Sequence, residues 1–160
     1  MGCLNDKVAI VTGASSGIGR ATGLLLAEEG AKVIVADINE AGAASTVEAI
    51  THEGGQATAV TGDTSVNKEV QQIIGTALST YGAIDLLHNN AGILRTFATP
   101  EEHSEDHWQR ILAVNLTGVF LMARAVVPVM RGRGGTIINM ASMAAVHPYP
   151  AGLAYAASTA

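Results

Sequence analysis

From Lys7 onward, short runs of apolar, often β-branched residues alternate with amphipathic stretches. Val8, Ala9, Ile10 and Val11 form the first run, the pattern of a strand buried on both faces. Over residues 20–30 the apolar positions Ala21, Leu24, Leu25 and Ala27 recur at helical spacing, and Gly30 supplies a stop. A second strand enters from Lys32, runs through Val33, Ile34, Val35 and Ala36, and ends at Asp37. An Ala-rich helix over Glu40–His52 is closed by Gly54 and Gly55. Residues 57–60 predict a third strand that runs out into Gly62, Asp63, Thr64 and Ser65. Residues 66–81 predict a helix with Val70, Ile73, Ile74, Ala77 and Leu78 on one face, ended by Gly82. Residues 84–88 make a fourth strand leading into Asn89, Asn90, Ala91 and Gly92. After a looser stretch over 94–103, helical segments cover Glu105–Leu112 and 115–130, with Pro128 expected to kink or shorten the second. Gly134 and Gly135 open a fifth strand over 136–140, and a loop and a new helix over 151–160 follow.

Strands alternating with helices imply a parallel sheet covered on both faces, because parallel strands need right-handed crossovers. No internal repeat beyond that rhythm and no linker divides residues 1–160, so a single domain is expected. Ligands of such sheets bind beyond the carboxyl ends of the strands, and the unusual polar residues of this chain fall there.

The first of those ends is a glycine turn. Gly13, Gly17 and Gly19 have the spacing G-x-x-x-G-x-G, with Ser15, Ser16 and Ile18 between them. Gly13 would let the chain leave the strand, Gly17 would let the backbone approach a pyrophosphate, and Gly19 would let the helix pack on the strand. The free N–H groups of the helix's first turn then face an anion. The commoner G-x-G-x-x-G is only loosely met, and a flexible Gly/Ser turn without a ligand has the same composition.

Composition narrows the classes. Of the 160 residues 48% are hydrophobic and 14% charged, against a usual charged share of about 25%, so much of the chain must be enclosed. A net charge of −5 with no basic cluster excludes nucleic acid as a partner. The single cysteine, Cys3, cannot form an intrachain disulfide, which fits a reducing, cytoplasmic setting. Met1, Gly2 and Cys3 invite a lipid anchor, but Asp6 stands where myristoylation wants Ser or Thr. The apolar stretch Gly118–Met130 is interrupted by Arg124 and Pro128 and is too short to span a bilayer, and no signal peptide precedes Lys7, so no membrane partner is expected.

Asp37 ends the second strand about 20 residues after the glycine turn, where a carboxylate accepts hydrogen bonds from a ribose 2′-OH and repels a 2′-phosphate. Asp63 ends the third strand, placed for an adenine edge or as a helix cap. Ile38 and Thr64 follow these two residues at the same edge. An exposed turn aspartate remains the plainer reading of Asp37.

Thr12, the glycines, Asp63, Asn89-Asn90-Ala91-Gly92, Asn115, Ser142 and Tyr155 stand in the order and spacing of the short-chain dehydrogenase/reductase family, which the chain resembles from Lys7 onward. The resemblance implies a Rossmann-type α/β fold, a doubly wound three-layer α/β/α sandwich. It implies hydride transfer between NAD and a small alcohol or ketone. By it Tyr155 is general acid/base and touches the cofactor, Ser142 holds the substrate oxygen, Asn115 positions a water in a proton relay, and Asn90, Ala91 and Gly92 line the cofactor. The chemistry agrees: a ketone gaining hydride becomes an alkoxide, which needs a hydrogen-bond donor and a proton source. Singly, Ser142 could cap, Tyr155 could pack and Asn115 could interrupt a helix by bonding the backbone.

Two departures stand out. Where the family carries a lysine four residues after its tyrosine, this chain has Thr159. A phenol with no cation beside it holds its proton at neutral pH. The chain ends at Ala160, whereas the family commonly runs to about 250 residues, so the fold is expected to be truncated after the fifth strand. An apolar edge strand invites association, and a homo-oligomer is expected. The alternatives to an NAD-dependent dehydrogenase are an NAD-binding or interaction protein without chemistry and a fragment that does not fold alone.

His103 and His107 have the i, i+4 spacing of a helical zinc pair, but Ser104, Glu105 and Asp106 start a helix that leaves His103 off the face of His107. No metal is expected. His88 reads as a core or cofactor-edge residue, and His147, Tyr149 and Pro150 are placed to touch substrate.

Overall fold

The computed structural model describes residues 2–94, 99–147 and 152–160. Five parallel strands form one sheet: β1 (Val8–Thr12), β2 (Lys32–Asp37), β3 (Gln56–Thr61), β4 (Leu86–Asn89) and β5 (Thr136–Asn139), in the order β3-β2-β1-β4-β5. The helices are α1 (Gly17–Glu28), α2 (Glu40–His52), α3 (Asn67–Tyr81), α4 (Glu105–Leu112), α5 (Gly118–Met130) and α6 (Leu153–Ser158). The order reverses between β1 and β4, the position at which a doubly wound sheet opens a crevice at its carboxyl edge.

Alternation along each strand sorts side chains into two cores. Ala9, Val11, Val33 and Val35 meet Ala27 of α1 and Ala43 and Ile50 of α2 on one face. Ile10, Ile34, Val60 and Leu87 meet Val70, Ile73 and Ile74 of α3 and Leu121, Met122 and Val126 of α5 on the other. Central β1 is buried throughout, as its unbroken apolar run requires, whereas edge strand β5 leaves Ile138 46% exposed. The helix ends follow local chemistry. Asn39 accepts from Gly42 N at 3.0 Å to cap α2, and Gly82, at φ +76°, closes α3.

Four expectations need correction. β4 begins at Leu86 rather than at residue 84, because Asp85 turns its carboxylate onto the start of β1, accepting from Val8 N at 2.9 Å. Pro128, in the last turn of α5, does not shorten the helix, which runs on to Met130. α4 and α5 are not separate segments but one run, Glu105–Met130, joined by a π-turn over Ala113–Thr117. That run is long and apolar enough to cross a membrane by length and composition alone. Here its inner stripe, Ile111, Val114, Leu121, Met122, Val126 and Met130, is buried. Finally, His103 does precede α4, yet its ring meets that of His107 edge to face with centroids 5.3 Å apart. A bond between His103 Nδ1 and the Thr99 carbonyl, 3.1 Å, turns it back toward the helix. Tyr149, Pro150 and the beginning of the last predicted helix at Ala151 lie outside the described residues.

His88 lies in β4 between Val11 and Ile138, 5% exposed, and its Nδ1 has no partner. Desolvation pushes its imidazole below the ordinary value of about 6.5. The folded state therefore keeps His88 neutral while the unfolded chain takes up a proton, so its contribution is present above about pH 6.5 and lost as pH falls below it. Urea midpoints should drop between pH 7.5 and 5.5, and His88→Val should reduce that drop; an undiminished drop in the variant refutes the assignment.

Candidate functional site

The β1–α1 turn is fixed from both sides. Thr12 Oγ1 accepts from Asn90 N and Ala91 N at 3.0 Å each, and Asn90 Nδ2 donates to the carbonyls of Thr12 at 2.9 Å and Gly13 at 3.2 Å. Asn90 therefore clamps the ends of β1 and β4 together. A Cβ on Gly19 would collide with Gly13 O and Asn90 Nδ2, which explains the glycine beneath the turn. Gly17 differs: its φ is +53°, but nothing lies within 4 Å of where its Cβ would be. That space opens on a cleft of about 380 Å³. Ser16, the N-cap of α1, makes no side-chain capping bond, so the first-turn N–H groups of α1 remain free. Free donors around an empty cradle suit a diphosphate.

Gly13, Ser15, Ser16, Gly17 and Ile18 form one wall of that cleft, and Asn90, Ala91 and Gly92 face them. Asp37, Ile38, Asp63 and Thr64 also line the cleft. Asp37 is held by the backbone: Oδ2 accepts from Ser15 N and Oδ1 from Asn39 N, each at 2.9 Å. It ties the glycine turn to the end of β2 and keeps acceptor capacity toward the cleft.

Arg110 of α4 also lines this cleft, and sequence reasoning missed it. Its Nη2 meets Asp63 Oδ2 at 2.8 Å, and its Nη1 donates to Ser65 Oγ at 3.0 Å. Forty-seven positions separate Arg110 from Asp63, and no local spacing signals the pair. Burial pushes the Asp63 carboxyl up, but the hydrogen bonds from Ser65 and the Arg110 guanidinium together outweigh it and hold the group below the usual carboxylate range. Asp63 does not itself cap α3; Val66 occupies that position, and Glu69 reaches back to Asp63 N at 2.6 Å.

A second cleft, about 200 Å³, shares the wall Asn90, Ala91 and Gly92 and holds Asn115, Tyr155 and Thr159. Asn115 sits in the π-turn with both amide hydrogens engaged. Oδ1 accepts from Ile93 N at 2.8 Å, and Nδ2 donates to Ile93 O at 3.0 Å and to Ser158 Oγ at 3.1 Å. Thr159 Oγ1 bonds back to Tyr155 O at 3.0 Å, so the position offers no cation to the phenol. Ser142 does not line either cleft. Its Oγ accepts from Ala144 N at 3.2 Å, capping a short 3-10 turn, Met143–Ala145, and its own hydrogen has no acceptor among the described residues. His147 is exposed. Among the described residues no group of three or more His, Cys, Asp or Glu could hold a metal ion.

A doubly wound sheet with its glycine turn and strand-end carboxylates at the switch point defines a nucleotide-binding α/β protein. The model of the short chain dehydrogenase family matches residues 7–160, and the chain belongs to that family. It is 43% identical to a cyclohexanol dehydrogenase of Acinetobacter sp. (strain SE19) over 88% of this chain and 56% of that protein. It is likewise 43% identical to a 3-oxoacyl-[acyl-carrier-protein] reductase of Synechocystis sp., over 100% of this chain and 65% of the reductase. The solved structure of an NAD+-bound xylitol dehydrogenase superposes with a TM-score of 0.94 at 35% identity, covering 98% of this chain and 61% of that one. The chain thus spans between about half and two thirds of the length of these relatives.

Gly17 and Gly19 should separate binding from folding. Gly19→Ala, which drives a Cβ into backbone, should lower unfolding free energy by about 3 kcal/mol. Gly17→Ala should lose only the left-handed backbone cost of about 1–2 kcal/mol, yet weaken dinucleotide binding by filling the cradle. Urea unfolding and calorimetric titration measure the two; unimpaired binding by Gly17→Ala would remove the cradle.

Proposed function

We propose that the chain is the cofactor-binding part of an oxidoreductase that moves hydride between NAD(H) and a secondary alcohol or ketone. The observation that carries this reading is the wall Asn90–Gly92 common to both clefts, which puts Tyr155 and Asn115 next to the space bounded by the glycine turn. The cyclohexanol and xylitol dehydrogenases among its relatives support the substrate class.

A nicotinamide dinucleotide bound there supplies or takes the hydride. The free N–H groups of α1 hold the diphosphate, and Asp37 accepts from ribose hydroxyls. In the ketone direction, the Tyr155 hydroxyl gives its proton to the carbonyl oxygen as negative charge grows there. A hydrogen bond from Ser142 to the same oxygen belongs to this reading through the family resemblance, although Ser142 lines neither cleft here. The Asn115 amide fixes the segment after β4 against α6, keeping the wall and the tyrosine in register. Proton relay through a water at Asn115 belongs to the same reading.

Thr159 favours a second reading, in which the chain binds NAD and turns over slowly. Nothing at that position assists loss of the Tyr155 proton, and acid/base assistance of this kind is worth about 10²–10⁴-fold. Homo-oligomerisation in a cytoplasmic setting is part of the proposal, supported by exposed Phe120 and Val127 on α5 and Ile138 on β5.

NADP(H) should bind at least about tenfold more weakly than NAD(H), because Asp37 repels a 2′-phosphate and Arg110, the one cation among the described residues lining the cleft, is paired with Asp63. Asp37→Ala should narrow the gap in dissociation constants; equal affinity for the two cofactors in the unaltered chain defeats the assignment.

Turnover should require both a cation at residue 159 and the substrate-side segments that longer relatives carry. Nicotinamide absorbance should be followed with secondary alcohols and ketones for Thr159 and Thr159→Lys, each in this chain and in one extended to the relatives' length. Thr159→Lys should recover little here and about 10²-fold or more in the extended chain. Turnover near about 10 s⁻¹ by the unaltered chain would mean that another group does the work of the missing cation.

A further inference from the structure

Arg110, Asp63 and Ser65 close a ring of hydrogen bonds beside the larger cleft, which Arg110 and Asp63 line. Ser65 donates twice to Asp63 Oδ1, from its backbone N at 2.8 Å and from Oγ at 2.6 Å. Arg110 Nη2 donates to Oδ2 at 2.8 Å, and Arg110 Nη1 to Ser65 Oγ at 3.0 Å. A carboxylate offers about four lone-pair directions. Ser65 fills both of those on Oδ1 and Arg110 one on Oδ2, so one acceptor direction remains. Ser65 Oγ is likewise committed as donor and acceptor. Both residues of the Arg110–Asp63 pair line the cleft. Removing Arg110 would leave Asp63 tied to Ser65 through Oδ1 but with Oδ2 unneutralised and both of its lone pairs open to water.

We propose that Arg110 is a positioning residue for nucleobase choice, and the proposal rests on the dinucleotide reading above. By orienting and neutralising Asp63, Arg110 leaves one fixed acceptor for a hydrogen-bond donor, the exocyclic amine of a 6-aminopurine. A 6-oxopurine would set its carbonyl lone pairs against that acceptor and lose the bond. The difference is carried by one oriented atom, so it depends on the ring rather than on Asp63 alone. Arg110 also places the contact under the control of α4, the helix that leads into the π-turn bearing Asn115.

ADP and IDP test this directly, since they share ribose and diphosphate, differ at the base and carry no nicotinamide. Dissociation constants for both, and for NAD, should be measured by calorimetry on the unaltered chain and on Arg110→Met, Arg110→Lys and Ser65→Ala. ADP should bind at least about tenfold more tightly than IDP to the unaltered chain. Arg110→Met should weaken ADP about tenfold, leave IDP nearly unchanged and bring the ratio below about threefold. Arg110→Lys, which keeps a cation beside Asp63, should retain most of the ratio. Equal weakening of ADP and IDP in Arg110→Met, a structural effect, overturns the proposal, and so does an unchanged ratio. Should Arg110→Met fail to fold, Ser65→Ala carries the test, because it removes both hydroxyl bonds of the ring and should shrink the ratio. If NAD and ADP bind but the ratio ignores Arg110 and Ser65, the inference fails and the dinucleotide reading stands; if no nucleotide binds, both fall.

Discussion

The clamp between Thr12 and Asn90 holds the functional edge together. A parallel sheet has no covalent reason for its central strands to end level with each other. Here one hydroxyl accepting two backbone N–H groups, and one amide donating to two carbonyls, fix the ends of β1 and β4 at the point where the strand order reverses. Both clefts share the wall that this clamp builds. The polar groups are Thr12, which is buried, and Asn90, which is half-buried, so a broken bond would leave donors or acceptors unsatisfied, at about 1–3 kcal/mol each. Gly19 follows from the same constraint, since the amide of Asn90 occupies the space its side chain would need.

The carboxylates at the strand ends serve the scaffold as well as the cleft. Asp37 spends part of its acceptor capacity on Ser15 and Asn39, and Asp63 on Ser65 and Arg110. Their partners hold them in fixed orientations without filling every lone pair, which is what recognition of a polar ligand requires. Asn115 has no amide hydrogen left after binding Ile93 and Ser158. Its side chain thus acts as a brace across three segments, and any help to a proton relay has to come from its remaining acceptor capacity or its backbone.

The parts of this arrangement written as local pattern were legible in the sequence. The apolar run of β1, the face of α3 and the stops at Gly30 and Gly82 follow from neighbours a few residues apart, and so do the glycines of the turn. What escaped depends on pairs distant along the chain. Arg110 looks like an ordinary solvated arginine until the fold brings Asp63 to it, and Asp85 looks like a strand residue until its carboxylate is seen to take Val8 N. The contact of His103 with His107 also depends on a backbone carbonyl, that of Thr99, which leaves no trace in side-chain spacing. Ser142 shows the limit from the other side. Its identity suggested both a substrate contact and a cap, and the cap leaves its hydrogen available for the contact.

The π-turn between α4 and α5 has an arithmetic meaning. From Ile111 to Met130 the buried stripe completes five turns in nineteen residues, whereas an α-helix completes them in about 18. The surplus residue is absorbed at Ala113–Thr117, so the turn is a phase shifter: it lets the apolar positions before and after it fall on one buried stripe. Deleting one residue there would remove the surplus and let the run close as plain α-helix with Leu121 and Met122 still in phase, whereas inserting one would rotate everything downstream by about 100° and swing them out of the core. This stretch is therefore more intolerant of a gained residue than of a lost one.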